Sequence, residues 1–129
     1  MKFYVTFAVL ALISSMTMAS TIEELNVLIN QGIDQSVEAK IQNHDDSINR
    51  GEYNAFFVGK AETLGRAGKL AKRISKIQTQ KLCEALGKTE VEVNDTLLGN
   101  HRMQASDQCY SFKNDKTCYR QYYVNFSCK

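Results

Sequence analysis

The run Thr117-Cys118-Tyr119-Arg120-Gln121-Tyr122-Tyr123-Val124-Asn125-Phe126-Ser127 decides how this chain is read. Aromatic and β-branched residues dominate it, and such side chains suit a pleated, half-buried backbone. Successive residues of a strand point to opposite faces. Cys118, Arg120, Tyr122, Val124, Phe126 and Cys128 therefore share one face, and Tyr119, Gln121, Tyr123, Asn125 and Ser127 share the other. A second β-rich run, residues 108–112, precedes it, with the polar turn segment Lys113-Asn114-Asp115-Lys116 between them. The two runs read as a hairpin.

The hairpin constrains the cysteines. Cys83, Cys109, Cys118 and Cys128 are separated by 25, 8 and 9 residues, so no closely spaced pair suggests a zinc knuckle. Four cysteines allow three disulfide connectivities. Cys118 and Cys128 lie along one extended run, roughly 33 Å apart at the rise of a strand, whereas a disulfide needs Cα atoms within about 7 Å. A hairpin closed about Asn114 sets Cys109 opposite Cys118 and carries Cys128 far up the ladder. The expected pairs are Cys109–Cys118 across the hairpin and Cys83–Cys128 to the preceding helix. At regular helical spacing Cys83 falls on the basic side of that helix. Either the helix ends or shifts near Thr79, or the C-terminal strand crosses that side.

Two helices are expected upstream. Thr21-Ile22-Glu23-Glu24 has the form of a capping box, and Ile22, Leu25, Leu28, Ile29, Ile33 and Ala39 follow at helical spacing, so the first helix spans about 21–41. In the second, Leu64, Ala67, Leu70, Ala71, Ile74 and Ile77 fill one arc, and Tyr53, Phe57 and Ala61 extend it backward, giving a helix over about 52–86. Gly59, Gly65 and Gly68 each cost about 1 kcal/mol in a helix interior, so they mark a break, a kink near Gly65 or a close backbone approach. After Gly87, Val91 and Val93 alternate with polar residues as a short strand. The expected fold is α+β: two amphipathic helices, then a short strand and a C-terminal disulfide-stapled hairpin.

The first residues read as a leader. Lys2 precedes an apolar stretch from Phe3 to Ile13, and Thr17 and Ala19 occupy the small-residue positions before a cut after Ala19. The apolar stretch is shorter than the roughly 20 residues needed to span a bilayer. The expectation is a cleaved signal peptide, 1–19, no transmembrane segment after processing, and one domain, 20–129, secreted or periplasmic. An even cysteine count fits that compartment.

Charge is distributed in blocks: residues 20–54 carry −5, residues 55–88 carry +6, and residues 89–129 are neutral. Removing the leader leaves +1 overall, which makes a nucleic-acid partner a poor expectation. Arg66, Lys69, Lys72, Arg73 and Lys76 form a basic arc on the second helix. It reads either as a solvated face neutralised by the acidic first helix or as a surface for an anionic partner.

His44 and His101 are too isolated to make a metal set. No nucleophile elbow or nucleotide motif is present, and no catalytic residue, metal or cofactor is read from the chain. Asn94-Asp95-Thr96 and Asn125-Phe126-Ser127 match the glycosylation sequon, which acts only in a eukaryotic secretory route. Tyr119 and Tyr123, on the hairpin face turned from Tyr122, Val124 and Phe126, are candidate contacts for a protein partner. The leading expectation is a small exported protein that binds or modulates another macromolecule. The alternatives are a small exported hydrolase, or an anionic-surface binder using the basic arc.

Overall fold

The computed structural model describes residues 21–42, 50–99 and 108–129. The leader and both histidines lie outside the described residues. The elements in chain order are α1 (Ile22–Ile29), β1 (Val37–Ile41), β2 (Glu52–Ala61), α2 (Leu64–Ala85), β3 (Val91–Leu98), β4 (Gln108–Phe112) and β5 (Asp115–Cys128). The fold is α+β, with a five-stranded antiparallel sheet ordered β1-β2-β5-β3. β4 also pairs with β5, beyond the end of β3.

Both expected helices are corrected at one end. Thr21 caps α1 as its sequence indicates, accepting from the Glu24 amide at 3.1 Å. The helix stops at Ile29, however, and the chain turns through Gly32, whose φ of +76° suits glycine. Residues 37–41 form a strand in which Val37, Ala39 and Ile41 are buried and Glu38 and Lys40 exposed. In the second segment, residues 52–61 are strand, and helix begins only after the Thr63 cap, which accepts from the Arg66 amide at 3.1 Å. Tyr53, Ala55, Phe57 and Gly59 alternate into the core.

β5 is the strand on which the others assemble. One edge pairs with β2 from Cys118 to Ser127; the other pairs with β4 below and β3 above. The hairpin turn is Lys113-Asn114, with Phe112 opposite Asp115 and Lys113 at a positive φ of 57°. Both expected disulfides are present. Cys109–Cys118 joins directly opposite residues, and Cys83–Cys128 ties the end of α2 to the end of β5.

Both helices cover one face of the sheet. Leu25, Ile29, Ala71 and Leu82 pack against Val37, Ala39, Ile41, Ala55, Phe57, Val124 and Phe126, with Tyr53 and Phe126 ring centroids 5.4 Å apart. The face of α2 turned inward overlaps the expected arc but is rotated from it, with Ala67 and Ala71 shared and Leu70 and Ile74 packed at its margin. Ala67, Gly68, Ala71, Ser75, Gln78, Thr79, Leu82 and Cys83 are buried, whereas Ile77 is 45% exposed and Leu64, Leu70 and Ile74 are half-buried. α2 runs unbroken through Cys83, and β5 lies under that side, so no shift near Thr79 is needed.

Small residues bring α2 very close to the sheet. A Cβ at Gly59 would sit 2.0 Å from the Ala67 carbonyl oxygen. The buried Gln78 amide donates to the carbonyls of Ile29 (2.9 Å) and Gln31 (2.8 Å). The Ile29 carbonyl is in the last turn of α1, where helical carbonyls lack a partner of their own, and Gln31 lies just past the cap, so one side chain ties α2 to the end of α1.

Candidate functional site

Among the described residues, no element packs on the second face of the sheet. Strand alternation and register decide what it presents. β5 contributes Tyr119, Gln121, Tyr123, Asn125 and Ser127; β2 contributes Glu52, Asn54, Phe56, Val58 and Lys60. Glu38 and Lys40 extend it on β1, Leu97 and Asp95 on β3, and Tyr110 on β4.

The two tyrosines singled out from the sequence both lie here, each inside a ring pair. Tyr123 and Phe56 have centroids 5.1 Å apart, and Tyr119 meets Tyr110 edge-on at 5.9 Å. Such aromatic pairs add about 0.5–1.5 kcal/mol beyond area burial, so the rings are held in place rather than loose on the surface.

Beside the rings runs an amide ladder. Asn54 and Asn125 are directly opposite each other on β2 and β5. Asn54 Oδ1 accepts from both the Tyr123 hydroxyl and Asn125 Nδ2, each at 2.6 Å. Asn94 Nδ2, at the bulge of β3, donates to Asn125 Oδ1 and Ser127 Oγ, both at 3.0 Å. The two asparagines of the sequons thus belong to one side-chain network. Glu52 accepts from Asn125 at 3.3 Å. Burial pushes the Tyr123 phenol above its ordinary pKa; the nearby Asp95 carboxylate adds to this, the Asn125 hydrogen bond offsets part of it, and Glu52 raises it further.

Sequence reasoning missed Phe56, Asn54 and Val58 because their segment read as helix. The available signal was the short aromatic and β-branched run Tyr53, Phe56, Phe57 and Val58, bounded by Gly51 and Gly59.

Two depressions border this face. One, of about 260 Å³, is lined by Glu38, Lys40, Gln42, Phe56, Val58 and Gln121. The other, of about 310 Å³, lies at the sheet end between Gln35, Ser36, Lys60, Ala61, Glu62, Lys116 and Thr117. The first holds the carboxylate of Glu38 and the second that of Glu62. Among the described residues, no group of three or more His, Cys, Asp or Glu side chains could hold a metal.

The basic arc is elsewhere. Arg66, Lys69, Lys72, Arg73 and Lys76 are exposed on α2, on the far side of the helical layer from Tyr119 and Tyr123. The structure does not bring the two groups together. Comparison with protein-family models, curated proteins and solved structures finds no match to this chain.

A third feature is the β3–β4 side of the sheet, where Val93, Leu97, Leu98, Tyr110 and Phe112 are all exposed. Among the described residues, no helix is long and apolar enough to cross a membrane.

Proposed function

We propose that this chain is a small exported binding protein whose second sheet face docks on a protein partner. The observation that carries the reading is the set of ordered aromatic side chains on a face that no described element covers. Phe56, Tyr110, Tyr119 and Tyr123 are fixed in pairs, so little side-chain freedom is left to lose on association. Tyrosine beside satisfied amides is the composition of protein interfaces, where rings supply buried area and a polar rim supplies register. Export is supported by the leader-like N-terminal sequence and by two disulfides, which persist in oxidising compartments.

The test is quantitative capture from the exported fraction of the source cells. The wild-type chain, a Phe56→Ala/Tyr119→Ala variant and a Glu84→Ala variant on the helical side are compared after the fold is checked by circular dichroism. A protein retained by the wild type and by Glu84→Ala but lost by the aromatic variant supports the reading. Equal retention by all three sinks it.

A further inference from the structure

We propose that the Cys109–Cys118 disulfide is a thiol-exchange site: a low-molecular-weight thiol opens it at Cys109 and thereby releases β4 from the sheet. The two disulfides of the chain have opposite surroundings. Cys83 is fully buried and Cys128 is 8% exposed, whereas Cys109 lies exposed on β4. Exchange begins with attack of a thiolate on one sulfur of the bond, so access to a sulfur decides where it starts. Cys118 is fully buried. Cys109 is therefore the point of entry.

The buried half of the bond faces an acceptor that suits its reduced form. Cys118 Sγ lies 3.5 Å from the Glu62 carbonyl oxygen, at the join of β2 and α2. A disulfide sulfur carries no proton to donate, whereas a thiol does. Exchange supplies that proton. The incoming thiolate bonds to Cys109 Sγ, the Cys109–Cys118 bond breaks, and Cys118 leaves as a thiolate that takes a proton from water. The resulting thiol donates to the Glu62 carbonyl. A second thiol then displaces Cys109, so two thiols are oxidised to one disulfide while both cysteines are reduced. A contact that favours the reduced cysteine makes its disulfide easier to open.

What the bond holds in place is β4. Among the described residues β4 pairs with β5 alone, from Gln108 opposite Tyr119 to Phe112 opposite Asp115. Alternation puts the disulfide on the helical side of this ribbon and the Tyr110–Tyr119 ring pair on the second sheet face. β4 is thus clamped from both sides, by a covalent bond and by a ring contact. A two-stranded ribbon is marginal by itself. The link spans a sequence separation of 9 residues, and losing its loop closure should favour opening of β4 by on the order of a hundredfold. Tyr110 then parts from Tyr119, and the sheet face loses one of its ordered ring pairs. An effect of this on binding rests on the reading of that face as a protein interface.

Glutathione serves as the probe. The native wild type is titrated with mixtures of its reduced and oxidised forms, quenched with acid, and mapped by mass spectrometry. Glutathione is expected on Cys109 and not on Cys118, at ratios that leave Cys83–Cys128 closed. Hydrogen exchange of the opened protein should speed the β4 amides by on the order of tenfold or more, while β1 and β2 keep their protection. The Cys109→Ser/Cys118→Ser variant should show the same pattern without glutathione. Opening of Cys83–Cys128 at the same ratios overturns the proposal, and so do β4 amides that stay as slow after opening as before. These measurements need no partner, so their failure is distinct from failure of the sheet-face capture. Where a protein is retained through Phe56 and Tyr119, opening the bond should weaken that retention severalfold. Unchanged retention overturns control of the face by this bond.

Discussion

The side chain of Asn30 pairs with the backbone of Ala39 as though it were a neighbouring strand. Its Nδ2 donates to the Ala39 carbonyl at 2.8 Å, and its Oδ1 accepts from the Ala39 amide at 3.0 Å. One turn earlier, Asn26 Oδ1 accepts from the Ile41 amide at 2.7 Å. β1 is an edge strand, and an unpaired edge is a template for unwanted strand addition. α1 blocks it with two asparagines one helical turn apart.

Removing that block should be visible twice. Asn30→Ala strips two hydrogen bonds from Ala39 and should cost about 1–3 kcal/mol, read as a lower midpoint in urea. Light scattering on standing should also rise, because the edge is freed. Gln35→Ala, at an exposed turn position, should stay within about 0.5 kcal/mol of the wild type. Matching stabilities for the two variants would show that the Asn30 pairing contributes nothing.

Two glycines that look alike in the sequence should respond with opposite sign. Gly59→Ala drives a methyl into the Ala67 carbonyl, 2.0 Å away, and backbone cannot move aside cheaply. A loss of at least about 1–3 kcal/mol is expected, as for overpacking. At Gly65 an added Cβ meets nothing within 4 Å. Gly65→Ala should therefore gain about 0.4–1 kcal/mol through helix propensity and a stiffer unfolded chain. Thermal unfolding of the pair checks both.

The disulfides should separate by reactivity and by worth. Cys109 is exposed on β4, whereas Cys83 is fully buried and Cys128 is 8% exposed. Mild reductant acting on the native protein should open Cys109–Cys118 first, as mass spectrometry after alkylation would show. The sequence separations are 45 and 9 residues, so chain entropy assigns about 4 kcal/mol to Cys83–Cys128 and about 3 kcal/mol to Cys109–Cys118. Paired Cys→Ala variants should rank in that order in denaturant. The reverse order would mean that native contacts, not loop closure, dominate.

Alkaline pH should weaken the fold through two tyrosines. Burial raises the phenol of Tyr53, and burial together with Asp95 raises that of Tyr123. A phenol raised in the folded state leaves stability intact below the unfolded value of about 10; stability is lost as pH climbs from there through the folded value. Ultraviolet titration should show a late-ionising class of tyrosines, and Tyr123→Phe should remove one member of it. A Tyr123→Phe titration curve lacking only an ordinary tyrosine would contradict the environment assigned to Tyr123.

The C-terminal half of the fold was legible because two signals agreed there. Period-two alternation set the faces of β5, and the cysteine spacing then left one workable pairing. β1 and β2 were hidden by coincidence of period. Ile33 and Ala39 satisfy a helical template as well as a strand does, and Phe57 and Ala61 continue the α2 stripe backward. No proline or glycine marks the join at Glu62-Thr63. On α2, counting large apolar residues set the buried arc off-centre: Ala67 and Ala71 are buried and Leu70 and Ile74 pack against the core, but the arc extends to Gly68, Ser75 and Thr79 instead of Ile77. Close approach to the sheet selects Ala67, Gly68, Ala71 and Ser75 for their size, and leaves Ile77 outside. The placement of Tyr119 and Tyr123 on one face followed from alternation alone. Their ring partner Phe56 could not be found until its segment was recognised as a strand.

The position of β5 also governs when the molecule can take shape. β2, β3 and β4 all pair with this last described strand, and Cys128 near its end closes the bond to α2. A ribosome delivers about 5–20 residues per second, so the upstream segments wait several seconds with their principal neighbour still unmade. During that interval α1, β1, β2 and α2 lack the strand that buries Tyr53 and Phe57, and long-range pairings of this kind form slowly. Until then the growing polypeptide has no complete sheet to fold onto, and its architecture locks only once the final strand is made.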